Sequence, residues 1–235
     1  MTLPVAILAG GLATRLRPIT ETIPKSLVSV AGDPFIYHQL SWLAGQGIER
    51  VVLCVGKFGE MIREYVQDGA RWGLVVDYSF DGEVLLGTGG ALRKAVARLG
   101  DAFFILYGDS YLDCVLPDIE LAYKMRGKPA LMTVLANDGR WDVSNARLQE
   151  DGLVIYDKRN PTPDMRFIDY GLSVMTSKKL LAIDADSRFD LSDFFSSLSV
   201  RGELAGYEVV NRFYEVGSPA GLEEAELYFR NRENA

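Results

Sequence analysis

Short apolar runs alternate with helix-spaced segments through the first half of this 235-residue chain. Residues 5–9 form an apolar run closed by Gly10-Gly11, the pattern of a buried strand. Residues 34–43 read as a helix, with Asp33 as N-cap and Pro34 at the first helical position. Further strands are expected at 51–55, 74–78 and 102–107, the last ended by Gly108-Asp109. Between them, 57–66 carries Phe58, Met61, Ile62 and Tyr65 on one helical face, and 89–99 repeats Leu92, Ala95, Val96 and Leu99. This order predicts an α/β fold: a Rossmann-like, doubly wound, mostly parallel sheet flanked by helices. Ligands of such sheets sit at the carboxyl ends of the strands.

The second half is hairpin-rich. A strand at 130–135 runs into the turn Asn137-Asp138-Gly139. Segments 144–149 and 153–157 flank Asp151-Gly152, a hairpin signal. Another strand is expected at 167–175, helices at 189–198 and 219–229, and short strands at 206–210 and 212–216. With no Ser/Pro-rich linker and no repeat, residues 1–235 read as a single domain.

Composition narrows the partners. Acidic residues outnumber basic ones 32 to 25, a net charge of −7, which argues against nucleic acid. A small phosphorylated ligand stays compatible with that charge, because a few local donors and a cation can hold it. Cys54 lies in an apolar run and reads as core, and Cys114 is a poor magnesium ligand. Without a disulfide framework, basic leader or long apolar stretch, a cytoplasmic chain with no membrane partner is expected. His38, the one histidine, has no metal-spaced partner and reads as structural.

The chemistry is expected in the loop 8–18. Gly10 and Gly11 let backbone amides approach an anion, and Arg15 offers a planar charged fork for phosphate oxygens. The bland alternative is a glycine turn with a surface arginine. Ten residues later, the proline-led Pro24-Lys25-Ser26-Leu27 can present a lysine as a fixed point charge, or simply a solvated one.

Leu8-Ala9-Gly10-Gly11, Thr14-Arg15-Leu16 and Pro24-Lys25-Ser26-Leu27 together resemble the signature of the sugar-1-phosphate nucleotidyltransferases. Leu86-Gly87-Thr88-Gly89-Gly90-Ala91 is similar to that family's base-recognition loop, and Tyr107-Gly108-Asp109 to its metal-binding turn. Asp157-Lys158 resembles the family's Glu-Lys pair, and Glu215-Val216-Gly217-Ser218-Pro219 its late Asp-x-Gly-x-Pro. Ser144-Asn145, Tyr156-Asp157-Lys158-Arg159 and Phe167-Ile168-Asp169-Tyr170-Gly171-Leu172 resemble the D-glycero-D-manno-heptose 1-phosphate guanylyltransferases in particular.

The resemblance implies an enzyme that joins a nucleoside monophosphate from GTP to a heptose 1-phosphate with Mg2+ and releases pyrophosphate, for cell-surface polysaccharide synthesis. It implies a nucleotide-binding part over 1–127 and a sugar-phosphate-binding part over 128–235. Arg15 and Lys25 would be catalytic. Leu8, Ala9, Gly10, Gly11, Glu83, Gly87 and Thr88 would hold the nucleotide. Gly108, Asp157, Lys158, Asp169 and Gly171 would hold the sugar phosphate, and Asp109 and Glu215 the metal. The partners would be a nucleoside triphosphate and a sugar 1-phosphate, on a monomer or small homo-oligomer. Two residues depart from the family pattern: Ala13 stands at a usual glycine, and Glu215 at a usual aspartate. They motivate an alternative, a sugar-nucleotide-binding module without turnover. A uridylyltransferase acting on N-acetylmuramic acid 1-phosphate or another hexose 1-phosphate is a nearer alternative. A Rossmann dehydrogenase fits poorly, since the glycines are adjacent rather than spaced G-x-G-x-x-G.

Overall fold

A computed structural model describes residues 2–11, 14–82, 84–185 and 187–233. In chain order the strands and helices are β1 (Val5–Leu8), β2 (Ser29–Val30), β3 (Asp33–Pro34), α1 (Phe35–Gly45), β4 (Arg50–Val55), α2 (Gly59–Val66), β5 (Val75–Phe80), α3 (Gly87–Ala95), β6 (Ala102–Tyr107) and β7 (Ser110–Tyr111). There follow α4 (Leu116–Arg126), β8 (Ala130–Ala136), β9 (Ala146–Leu148), β10 (Val154–Tyr156), β11 (Phe167–Thr176), α5 (Ser177–Leu181), α6 (Leu191–Val200), β12 (Leu204–Val209), β13 (Tyr214–Glu215) and α7 (Pro219–Glu233).

β6, β1, β4 and β5 lie side by side and parallel, as the alternation predicts. β6, β1 and β4 are apolar almost without a break, as buried parallel strands are, while β5 at the sheet edge carries Asp77 and Ser79. Past β6 the direction reverses. β11 runs antiparallel to β6 and β8, and β9–β10 is the expected hairpin. β12 closes that side, parallel to β8. Both halves of the chain therefore share one nine-stranded sheet. One face packs Ile36, Leu40 and Leu43 of α1, Ile62 of α2 and Ile119 of α4. The other packs Leu92 of α3 and Phe195 and Leu198 of α6. A third cluster seats Phe229 of α7 on Val30, Phe35 and Tyr111.

The start of α1 differs from expectation by one residue. Asp33 and Pro34 pair with Ser29 and Val30 as a tiny ladder, so Pro34 stays extended (ψ 142°) as the N-cap and Asp33 makes no capping bond. The Phe35 N–H donates to Val28 O at 2.9 Å and locks that entry. The sequence reading also passed over α4. Its apolar residues ring the helix: Leu121 and Met125 are exposed while Glu120 is buried, accepting from Leu3 N and Lys124 Nζ. No amphipathic stripe results. His38 is structural as expected, with its Nε2 2.8 Å from Val30 O and its ring stacked on Phe229. Burial pushes the thiols of core Cys54 and half-buried Cys114 up to about 12, which disfavours the reactive thiolate in both. No described helix is long and apolar enough to cross a membrane.

Candidate active site

Two cavities open at the carboxyl edge of the parallel strands. The first, of about 270 Å3, is lined by Leu8, Ala9, Gly10 and Gly11 after β1, by Lys25 and Ser26, by Asp81 after β5, and by Gly87 and Thr88 at the start of α3. The second, of about 510 Å3, is lined by Arg15, Lys158, Asp169, Gly171, Glu215 and residues of the 140–145 loop. Tyr107 and Asp109 line both, so the cavities meet at the end of β6.

The turn carrying Asp109 is tightly seated. A Cβ on Gly108 would lie 2.7 Å from Leu8 O, so only glycine lets β6 and β1 close there. The Asp109 carbonyl accepts from Val216 N at 2.9 Å. Its carboxylate pairs with Lys25 Nζ at 2.8 Å, and Lys25 stands on a 3-10 turn led by the extended Pro24 (φ −68°, ψ 148°).

Glu215 arrives from far along the chain. β13 pairs antiparallel with β7 and sets Glu215 opposite Ser110, beside Asp109. Its carboxylate accepts from the Gly217 N–H and from Ser218 Oγ (2.6 Å), so it also shapes the entry to α7. A Cβ built on Gly217 would lie 2.4 Å from Glu215 Oε2, 3.2 Å from Lys25 Nζ and 3.4 Å from Arg15 Nη2. Two cations and a carboxylate thus crowd one point at the junction of the cavities.

In the second cavity, β11 breaks register with β8 between Asp169 and Ser173, and Gly171 takes φ +95° in the bulge. The Gly171 N–H donates to Asp169 Oδ1 at 3.0 Å, and Asn145 Oδ1 accepts from Asp169 N at 3.0 Å. Burial pushes the Asp169 carboxyl up to about 6, against the pull of that N–H and of Lys158. In the first cavity, burial raises Asp81, opposed by the Leu86 N–H and by Lys94.

Several residues sit differently from expectation. Gly108, expected with the sugar-phosphate residues, lines the first cavity and not the second, because it packs on Leu8. Asp157 is outside both linings: its Oδ1 accepts from Arg159 N and Asn160 N and closes the 157–160 turn. The Thr88 hydroxyl accepts from Leu191 N at 2.8 Å, tying α3 to α6 while lining the first cavity. Glu83 and Ala13 lie outside the described residues. The sequence reading missed Asp81, Asp190, Arg140 and Arg212, all cavity-lining. Asp81 alone carried a signal, since it follows a parallel strand at the ligand edge.

Among the described residues no group of three or more His, Cys, Asp or Glu could hold a metal. Asp109 and Glu215 put two hard carboxylate donors on the wall of the second cavity, a chemistry that fits Mg2+ only if further oxygens complete its shell.

The profile of the nucleotidyl transferase family matches residues 5–138. The chain is 34% identical over 169 residues to the glucose-1-phosphate thymidylyltransferase of Streptomyces antibioticus, matching 69% of this chain but 47% of that protein. It is 28% identical over 214 residues to the D-glycero-alpha-D-manno-heptose 1-phosphate guanylyltransferase of Campylobacter jejuni subsp. jejuni, matching 91% of this chain and 94% of that one. The fold superposes with a TM-score of 0.79 on HddC from Yersinia pseudotuberculosis complexed with GMP-PN, at 26% identity over 97% of this chain and 100% of that one. On these grounds, the chain belongs to the nucleotidyl transferase family.

Proposed function

We propose that this chain transfers GMP from GTP to a sugar 1-phosphate, with D-glycero-α-D-manno-heptose 1-phosphate as the acceptor, and releases pyrophosphate. The observation that carries the reading is the junction. Two cavities share Asp109, and the charged ends of Arg15, Lys25 and Glu215 crowd together there. The full-length Campylobacter relative named for that reaction supports the choice of acceptor.

The first cavity would take the nucleoside and the second the sugar, so that an acceptor phosphate oxygen meets the α-phosphorus in line at their common wall. No covalent enzyme intermediate is needed; alignment and charge compensation supply the rate. The loop from Leu8 to Gly11 would cradle the phosphates with backbone N–H groups. The Arg15 fork would follow the β- and γ-phosphates, and Lys25 the α-phosphate. Lys158 would meet the sugar phosphate. Ionised Asp169 would accept from a sugar hydroxyl, with Gly171 leaving room beside it. Asp109 and Glu215 would hold Mg2+, which when bound supplies positive charge toward the departing pyrophosphate.

Asp81 and Asp190 in the first cavity favour guanine. A carboxylate only accepts, and guanine alone presents neighbouring N1–H and N2–H2 donors. Uracil and thymine flank their single N–H with carbonyl oxygens, which a carboxylate repels. This supports GTP over the uridylyltransferase alternative.

The test is a matrix of nucleoside triphosphates against sugar 1-phosphates with Mg2+, read as pyrophosphate. GTP should exceed UTP by about 100-fold in kcat/KM, the size of about two lost hydrogen bonds. Equal use of UTP would remove the base assignment. No pyrophosphate from any pair would favour a binding module without turnover.

A further inference from the structure

Gln39, on α1, is fully buried and has no part in the chemistry above. Its Nε2 donates to Tyr107 O at 3.0 Å and to Ser110 O at 2.8 Å. Those two carbonyls bracket Gly108-Asp109. Only an amide nitrogen can meet two carbonyl oxygens, so the orientation of the side chain is fixed. Its Oε1 is left buried with no hydrogen-bond partner. An apolar side chain would strand no acceptor there, and buried polar atoms are ordinarily satisfied. The donor must therefore be worth the orphan. The other restraints on the turn come from two sides: Gly108 N donates to Leu8 O at 3.1 Å, and Val216 N to Asp109 O at 2.9 Å. Gln39 supplies a third restraint, from the helix layer.

We propose that Gln39 is a positioning residue for Asp109. Its amide staples the ends of β6 and β7 together, so that the Asp109 carboxylate stays on the wall between the two cavities, beside Lys25 Nζ. Its effect on metal and nucleotide rests on the reading of Asp109 as a metal ligand; its effect on the turn does not.

The test uses Gln39→Leu, which removes the donor at similar volume, and Gln39→Met, a more adaptable side chain, should the first not fold. Three quantities are measured on the full chain: amide exchange across 108–111 without ligand, Mn2+ binding by electron paramagnetic resonance with α,β-methylene GTP, and steady-state kinetics. Exchange at 108–111 should quicken about 10-fold while β4 and β5 keep their protection. Half-saturation by Mn2+ should rise about 10-fold, and kcat should fall about 10- to 100-fold with the KM for GTP within about threefold, because a supporting group acts on geometry rather than on uniform binding. Unchanged exchange at 108–111 overturns the proposal. So does faster exchange with unaltered Mn2+ binding and kcat, which would make Gln39 a packing residue only. If the wild-type chain releases no pyrophosphate, the proposed reaction fails, and exchange and Mn2+ binding still decide the role of Gln39.

Discussion

Replacing Gly217 by alanine should separate activity from stability at this site. The added Cβ would lie 2.4 Å from Glu215 Oε2, where real Cβ contacts essentially never fall below 3.0 Å, so the carboxylate must retreat by about 0.6 Å or more. Lys25 Nζ and Arg15 Nη2, at 3.2 and 3.4 Å, would yield by a few tenths of an ångström. The neighbours are the ends of flexible side chains and Gly217 does not adopt positive φ, so the backbone can accept a methyl group. Stability should change by less than about 1 kcal/mol. Activity should not be spared, because a displacement approaching 1 Å at a reacting centre costs on the order of 100-fold. The assay is pyrophosphate release against Mg2+ concentration, alongside a thermal melt. We expect kcat down about 100-fold, a shifted Mg2+ requirement and a nearly unmoved Tm. Gly221→Ala is the contrast. Its Cβ would meet the Glu215 carbonyl oxygen at 2.6 Å, a backbone clash that no rotamer relieves, so that variant should lose stability as well. Turnover of Gly217→Ala within threefold of wild type, with an unchanged Mg2+ titration, would refute the crowded junction as the catalytic centre.

Arg15→Ala should lower turnover by about 100- to 1,000-fold, by removing charge stabilisation from the leaving pyrophosphate, and single-turnover kinetics with GTP would read it. Asp109→Asn should raise the Mg2+ concentration for half-maximal rate by about 10-fold or more, and an unchanged titration would exclude Asp109 as a ligand. Asp169, with its carboxyl raised from 3.8 to about 6, keeps in the folded state a proton that the unfolded chain releases near its ordinary value. Its contribution to stability is therefore fully present below about pH 4 and lost as the pH rises through about 6. Denaturant melts of Asp169→Asn should lack that downward slope. Binding of a sugar hydroxyl needs the ionised form, so the KM for sugar phosphate should fall as the pH passes 6 in the wild type, and less so in Asp169→Asn.

The parallel part of the sheet was legible because its strands are continuous apolar runs between glycine turns; β6 falls where residues 102–107 predicted it. The hairpin at Asp151-Gly152 was legible for a local reason too, since its turn chemistry sits in adjacent residues. α4 was not, because Leu121 and Met125 point outward while Glu120 is buried, held by Lys124 one turn on and by the distant Leu3 N–H. The N-cap of α1 was misread because Asp33 and Pro34 are drawn into the short β2–β3 hairpin with Ser29 and Val30, which keeps Pro34 extended and competes with the capping signal at Asp33-Pro34.

For the candidate site, Arg15 and Lys25 stood out as cations in a glycine- and proline-led loop, while Asp109 and Glu215 were picked out by the resemblance of their motifs to the family signature. Their convergence is a property of the fold alone. Asp109 and Glu215 are neighbours only because β13 pairs with β7, and Asp109 meets Lys25 only because the end of β6 lies beside that of β1. Asp81, Asp190 and Gln39 carry no motif, and their places were decided by burial and by which carbonyls and cavities they face. Residue chemistry is written position by position along the chain, whereas proximity arises from strand pairings between positions far apart in it.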